Sequence, residues 1–197
     1  KLNVPPFIAT MAMMNVARGL AYVFTDAKPV FGLPESFGFI GLKEIGIIPV
    51  CVILMVLIIV LSYVILTKTC YGRYVYAVGS NKEVAKLTGI NVDQVRFSVY
   101  VISGILSALA GLVLASKLQN GQATAAVGYE LNAIAAVAMG GTSMSGGRGG
   151  IPQTVIGLIV IGIINNALSL LGVSAYWQTV AMGVIILIAV VIDQVRK

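Results

Sequence analysis

GGIPQTVIGLIVIGIINNALSLLGVSAYWQTVAMGVIILIAVVI, residues 149–192, runs for 44 residues without one ionisable side chain. A helix needs about 20 apolar residues to cross roughly 30 Å of hydrocarbon, so this run is long enough to cross twice. Uncharged runs at 45–67, 97–116 and 131–147 repeat the pattern. The 197 residues are 58% hydrophobic and only 10% charged, with a mean hydropathy of +0.98. That is more apolar surface than a soluble core of this size can use, so the expected solvent is lipid. The runs recur along the chain and lack a cleavage pattern, so none of them reads as a signal peptide. The fold class expected is an all-α polytopic membrane helix bundle. Its spans or partial spans, about six, are placed at 5–25, 47–67, 97–117, 130–144, 152–171 and 178–193, the fourth short enough for a partial or tilted crossing. The chain starts at Lys1 inside what reads as a continuing pattern, so an N-terminal part is expected to be missing.

A net charge of +6 and a pI near 9.5 raise the question of nucleic acid. A nucleic-acid surface gathers its Lys and Arg on one water-facing patch, whereas here they divide between loops. If segment 68–96 is cytoplasmic, the inside carries Lys1, Lys68, Arg73, Lys82, Lys86, Arg96, Arg148, Arg196 and Lys197, and the outside only Lys28, Lys43 and Lys117. That excess satisfies the positive-inside bias and puts the C-terminus in the cytoplasm, provided 130–144 crosses. Tyr71, Tyr74 and Tyr76 stand where an interfacial aromatic belt is expected. With no His and only Cys51 and Cys70, zinc spacing, a redox pair and histidine catalysis are all excluded. No metal site is expected.

Segment 26–48 reads as an external loop with short helical or hairpin pieces. In the span after it but one, Ser103, Ser107, Gly111 and Ala115 recur at four-residue steps beside Gly104 and Ala108. Such a face lets another backbone approach closely, so that helix is expected to be buried in the bundle.

The sparse charge concentrates in GSNKEVAKLTGINVDQVR, residues 79–96. Ser80 followed by Glu83 has the capping-box spacing, and Gly89 supplies a left-handed stop. A helix of about eight residues is expected between them, too short to stand without neighbours. Asn91 starts the next helix. The short helix would show Val84, Ala85 and Leu87 together with Lys82 and Lys86, a mixed surface suited to a partner's groove. The plainer reading is a solvated loop between helices.

Resemblance shifts the balance toward the first reading. Glu83, Ala85 and Gly89 match the E-A-A-x-x-x-G signature of ABC importer permeases, with Val84 in place of the middle Ala. PPFIATMAMMNVARGLA, GRYVYAVGSN, LTGINV, GYELNAIAAVAMGGTSMSGGRGG and NNALSLLGVSAYWQ resemble the ribose and galactose type of bacterial sugar permease, in order and along nearly the whole chain. Asn132 departs from the Asp that commonly follows Tyr-Glu-Leu in that group. The resemblance implies that residues 1–197 are the C-terminal portion of an importer's transmembrane domain in a bacterial cell (inner) membrane. It implies a second permease copy forming a homodimer, a cytoplasmic ABC ATPase and a periplasmic or extracellular sugar-binding protein. It makes Ser80, Lys82, Glu83, Val84, Ala85, Lys86, Leu87 and Gly89 the element that docks on the ATPase. ATP and Mg would sit on that partner and no cofactor on this chain.

Other candidates carry two readings each. GGTSMSGGRGG, 140–150, is six-elevenths glycine, but after Gly141 and Gly146 come Gly147 and Arg148, where a phosphate loop needs Lys then Ser or Thr. It is either a tight turn or an unwound stretch on a substrate pathway, the latter drawing in Gly140, Gly141, Thr142 and Ser143. Pro152 fits the first turn of the next helix. Asn165 and Asn166 would meet sugar hydroxyls or bond across helices. Asn15 poses the same choice beside Arg18, and Asn132 joins the pathway set. Tyr129 and Glu130, at the expected outer rim, would contact the binding protein or anchor their helix. The rival classes are an ion-coupled secondary transporter, whose Gly-broken helices also form midplane sites, and an intramembrane enzyme, for which no catalytic pair exists.

Overall fold

The structure is a computed structural model that describes residues 6–195. Lys1, Arg196 and Lys197 of the charge balance, and Pro5 at the head of the first expected span, lie outside the described residues. Two compact units emerge, Lys1–Leu54 with Ser107–Val127 and Met55–Leu106 with Gly128–Lys197.

In the first unit α1 covers Pro6–Thr25, and segment 26–48 folds into the short pieces its composition suggested. A 3-10 turn at Glu35–Phe37 leads into α2 (Gly38–Gly41), then a hairpin pairs β1 (Glu44–Ile45) with β2 (Ile48–Pro49). Gly46 turns the hairpin at φ +68°, a conformation glycine adopts without a Cβ penalty. One hydroxyl pins the segment. Ser116, 0% exposed, donates from Oγ to Phe37 O at 2.5 Å and accepts the Gly41 N–H at 2.8 Å. A Cβ on Gly41 would come within 2.6 Å of Ser116 C, so only glycine permits that approach. Val30 and Gly121 exchange backbone hydrogen bonds of 2.9 Å in both directions.

The second unit takes in most of α3 (Val50–Lys68), α4 (Cys70–Ser80), α5 (Lys82–Leu87), the first half of α6 (Val92–Leu118), α7 (Tyr129–Met139), α8 (Ile151–Leu170) and α9 (Ala175–Val195). The α3–α4 break is built by Thr69, whose Oγ1 accepts the Gly72 N–H at 3.2 Å while donating to Ile65 O at 2.6 Å. The buried Gly72 lets the turn close, because a Cβ there would overlap Leu66 O. α7 and α8 form a tight hairpin in which added Cβ atoms on Gly140 and Gly157 would overlap Gln153 O and Ala136 O. Small residues thus bring the two backbones into contact. Ala135, Ala136, Ile161 and Met182 of α7, α8 and α9 make the principal core.

Among the described residues three helices are long and apolar enough to cross a membrane: α3, α6 and α8; α7 and Ala175–Ala189 are shorter apolar helices. At a 1.5 Å rise α7 reaches only about 16 Å, so the partial crossing expected at 130–144 is a short helix ending at Met139. The burial expected of the 97–117 span is not met within this chain: the membrane windows of α3 and α6 are 0% buried, and Gly104 and Gly111 have nothing within 4 Å of a built Cβ. The small-residue face is open. Among the described residues no side chain or backbone fills that space, although the composition of the face would admit a helix there.

Candidate functional site

The charged segment is more regular than its composition suggested. GRYVYAVGS belongs to α4, which takes in Ser80 as its last residue. Ser80 is therefore not the helix cap. Asn81 takes that role, its Oδ1 accepting the N–H groups of Glu83 at 2.9 Å and Val84 at 3.1 Å. The physical reason is that Ser80 is still helical, whereas a cap residue must leave the helical region, as Asn81 does at φ −152°, ψ 111°. α5 is six residues rather than about eight. Its end is a full Schellman motif: Gly89, at φ +83°, gives its N–H to Lys86 O and Ile90 gives its own to Ala85 O, both at 3.1 Å. Asn91 starts α6 as expected, accepting the Gln94 N–H at 3.1 Å.

Packing assigns the faces of α5. Ala85, expected on the outer surface, is only 2% exposed and packs with Val78 of α4 and Val95 of α6, ringed by Val75, Ile90 and Val92. A buried position on α5 closed over by α4 and α6 favours a small side chain, which accounts for alanine there. Lys82, Glu83, Val84, Lys86 and Leu87 are exposed, Leu87 at 87%. The outward surface is two apolar side chains among two cations and a carboxylate, on a helix held at both ends.

Two of the three tyrosines read as a belt are tethers. The Tyr71 hydroxyl shares a 2.8 Å hydrogen bond with Ser98 Oγ, joining α4 to α6. Tyr76 donates from its hydroxyl to Gly149 O at 2.9 Å. Tyr74 remains exposed. That second bond brings the Gly-rich segment to the end of α4, and Gly79 and Ser80 lie against Gly146 and Gly147. Within this unit 140–150 therefore sits at the same end as α5. The segment is a turn: Gly141, Gly146, Gly147 and Gly149 all have positive φ, at +82°, +91°, +74° and +139°. Gly141 and Thr142 close α7 with N–H bonds to Ala138 O and Val137 O, and Ser143 accepts the Gly146 N–H while giving its own to Arg148 O. Thr142 is half-buried, and its Oγ1 is a buried hydroxyl oxygen without a partner. Pro152 stands in the first turn of α8, as expected.

The remaining candidates are dispersed. Asn132 is half-buried in the first turn of α7, and Glu130 bends back to accept the Gly128 N–H at 3.1 Å, fastening its own helix start. Tyr129 is exposed beside it. Asn165 is half-buried and Asn166 exposed on the second half of α8, while Asn15 is exposed on α1 in the other unit. Sequence reasoning overlooked Asn81, Gly79 and Ser116, and read Tyr76 only as part of a belt. Only Asn81 carried a signal, an Asn immediately before a Lys-Glu helix start; the others acquire their roles through contacts distant in sequence.

Comparison with known proteins gives these features a context. Residues 1–190 match the model of the family described as branched-chain amino acid transport system / permease component. The chain is 50% identical to the ribose import permease protein RbsC of Bacillus subtilis over 199 residues, covering 100% of this chain and 62% of the relative. It is 43% identical to the probable ABC transporter permease protein YphD of Escherichia coli over 189 residues, 95% of this chain and 57% of the relative. It is also 38% identical to the L-arabinose transport system permease protein AraH of Escherichia coli over 197 residues, 100% of this chain and 60% of the relative. The chain thus spans about three-fifths of the length of these curated relatives. No solved structure matches it.

Proposed function

Because the chain belongs to the branched-chain amino acid transport system / permease component family, we propose that it is the permease part of an ATP-driven importer for a small sugar of the ribose or arabinose kind. The family description names amino acids, but the sugar reading draws on relatives that carry ribose and arabinose in their names and match this chain along its whole length. In this reading two permease copies form the membrane path, a binding protein delivers sugar from outside, and a cytoplasmic ATPase carries ATP and Mg.

The observation that carries the reading is α5. A six-residue helix is not stable in isolation, yet this one is capped at both ends and fixed through Ala85, with Val84 and Leu87 left outward. Such rigidity serves a helix that must pass force to its neighbours without bending. ATP-driven closure of the ATPase displaces α5, and the spans attached to it exchange between two packed arrangements that nucleotide biases. Glu83 gives the outward face a charge for the ATPase to engage. Gly140–Ser143, Asn132, Asn165 and Asn166 supply polar groups for weak passage of sugar hydroxyls, Asn15 adds another, and Tyr129 with Glu130 offers a place for the binding protein.

The test is reconstitution of the full-length importer with Glu83→Lys and Gly89→Ala, assayed for sugar-stimulated ATP hydrolysis and for uptake. Both variants are expected to lower stimulation and uptake together. Wild-type values for both activities would refute a coupling role for α5.

A further inference from the structure

The Gly-rich segment and the end of α4 meet backbone to backbone. A Cβ built on Gly79 would lie 2.9 Å from Gly147 N, one on Gly146 would lie 2.6 Å from Gly79 O, and one on Gly147 would lie 2.8 Å from Ser80 Cα. Each is closer than real Cβ atoms come, so three glycines from two distant parts of the chain are needed for one contact. Tyr76 adds a hydrogen bond to Gly149 O across 73 positions of sequence. A plain connector between α7 and α8 has no use for six glycines in eleven residues, since glycine loses more conformational freedom on folding than any other residue.

We propose that this seam is a transmission joint, through which a displacement of α5 reaches α7 and α8 by way of Gly79, Ser80 and the Gly-rich turn. The inference rests on the reading of α5 as the ATPase contact. Only Asn81 separates Ser80 from α5, and Val78, Ala85 and Val95 weld the end of α4 to α5 and α6. On the far side the turn has little slack. It is cross-bonded internally, Ser143 N–H to Arg148 O at 3.0 Å and Gly146 N–H to Ser143 O at 3.1 Å. One end is fixed to α7 by the Gly141–Thr142 closure, and the other to α8 by Thr154, whose Oγ1 donates to Gly150 O at 3.0 Å. α7 in turn is locked to α8 at Gly140 and Gly157, and to α9 through the Ala135, Ala136, Ile161 and Met182 core. Coupling between separated sites travels through such contiguous packed elements when they have two arrangements to choose from. Tyr76 is a positioning residue in this joint: its hydroxyl holds the turn against α4.

The experiment uses the full-length permease with its ATPase and binding protein in proteoliposomes. Leu87→Cys is first cross-linked to the ATPase, then Tyr76→Phe and Gly147→Ala are compared with Tyr74→Phe, an exposed tyrosine on the same helix. The readout is sugar transported per ATP hydrolysed. Tyr76→Phe is expected to keep the cross-link and the hydrolysis rate while lowering that ratio about fivefold, the effect of one net hydrogen bond; Gly147→Ala is expected to lower it further and Tyr74→Phe to leave it unchanged. An unaltered ratio in Tyr76→Phe, with the cross-link intact, overturns the joint alone and decides the matter even if Gly147→Ala fails to fold. Absence of the Leu87 cross-link in otherwise native protein overturns the reading of α5, and the joint with it.

Discussion

At the scale of single residues, absence of a side chain does as much as its presence. Gly157 faces Ala136 O so closely that a methyl group has no room, and the mismatch falls on backbone, which yields less readily than a flexible side chain. Gly157→Ala is therefore expected to destabilise the α7–α8 hairpin by about 1–3 kcal/mol, the usual range for overpacking. Thermal unfolding of the full-length protein in detergent measures it; an unchanged midpoint would contradict the packing described. Ala85 shows the same economy from the other direction. Its side chain is small because α4 and α6 close over it, and the charged residues around it face outward as a consequence.

At the scale of elements, α5 depends on its caps. Asn81→Ala removes the acceptor for two N–H groups and is expected to cost about 1 kcal/mol, as N-cap deletions do. Hydrogen exchange at Glu83 and Val84 should quicken about fivefold, the factor that free energy implies, whereas Ser80→Ala should leave both rates unchanged. The reverse pattern would restore the Ser80 cap. The Ser80–Glu83 spacing misleads for a physical reason: the hydroxyl belongs to a residue that α4 has already wound into helix. α4 itself was hard to read because its tyrosines suit an interface as well as a helix, and their tethers, Ser98 and Gly149, lie 27 and 73 positions away. Long uncharged helices, by contrast, declare themselves, since exclusion of charge over some 20 residues has few other causes. The boundaries of α3, α8 and α9 fall within three residues of those expected at their N-termini. The glycines of 140–150 were legible as a turn but not as half of a contact, because their partner Gly79 lies in a separate part of the chain.

At the scale of the whole molecule, charge sets orientation and packing sets mechanism. The positive-inside bias of the loop charges predicts a cytoplasmic α5, and a cysteine replacing Lys82 should then react with a membrane-impermeant thiol reagent from the cytoplasmic side only. Reaction from outside would invert the assignment. The open apolar windows of α3 and α6 belong to a chain that spans about three-fifths of its relatives' length, and lipid or further helices are the solvents their composition admits. The most direct test of an ATP-driven permease is sugar uptake by proteoliposomes holding the full-length protein, its ATPase and its binding protein. With ATP supplied on the ATPase side, uptake should persist when ionophores collapse every ion gradient, and should cease when ATP is replaced by a non-hydrolysable analogue. Uptake that survives without hydrolysis and dies with the gradient would contradict the account and favour an ion-coupled carrier.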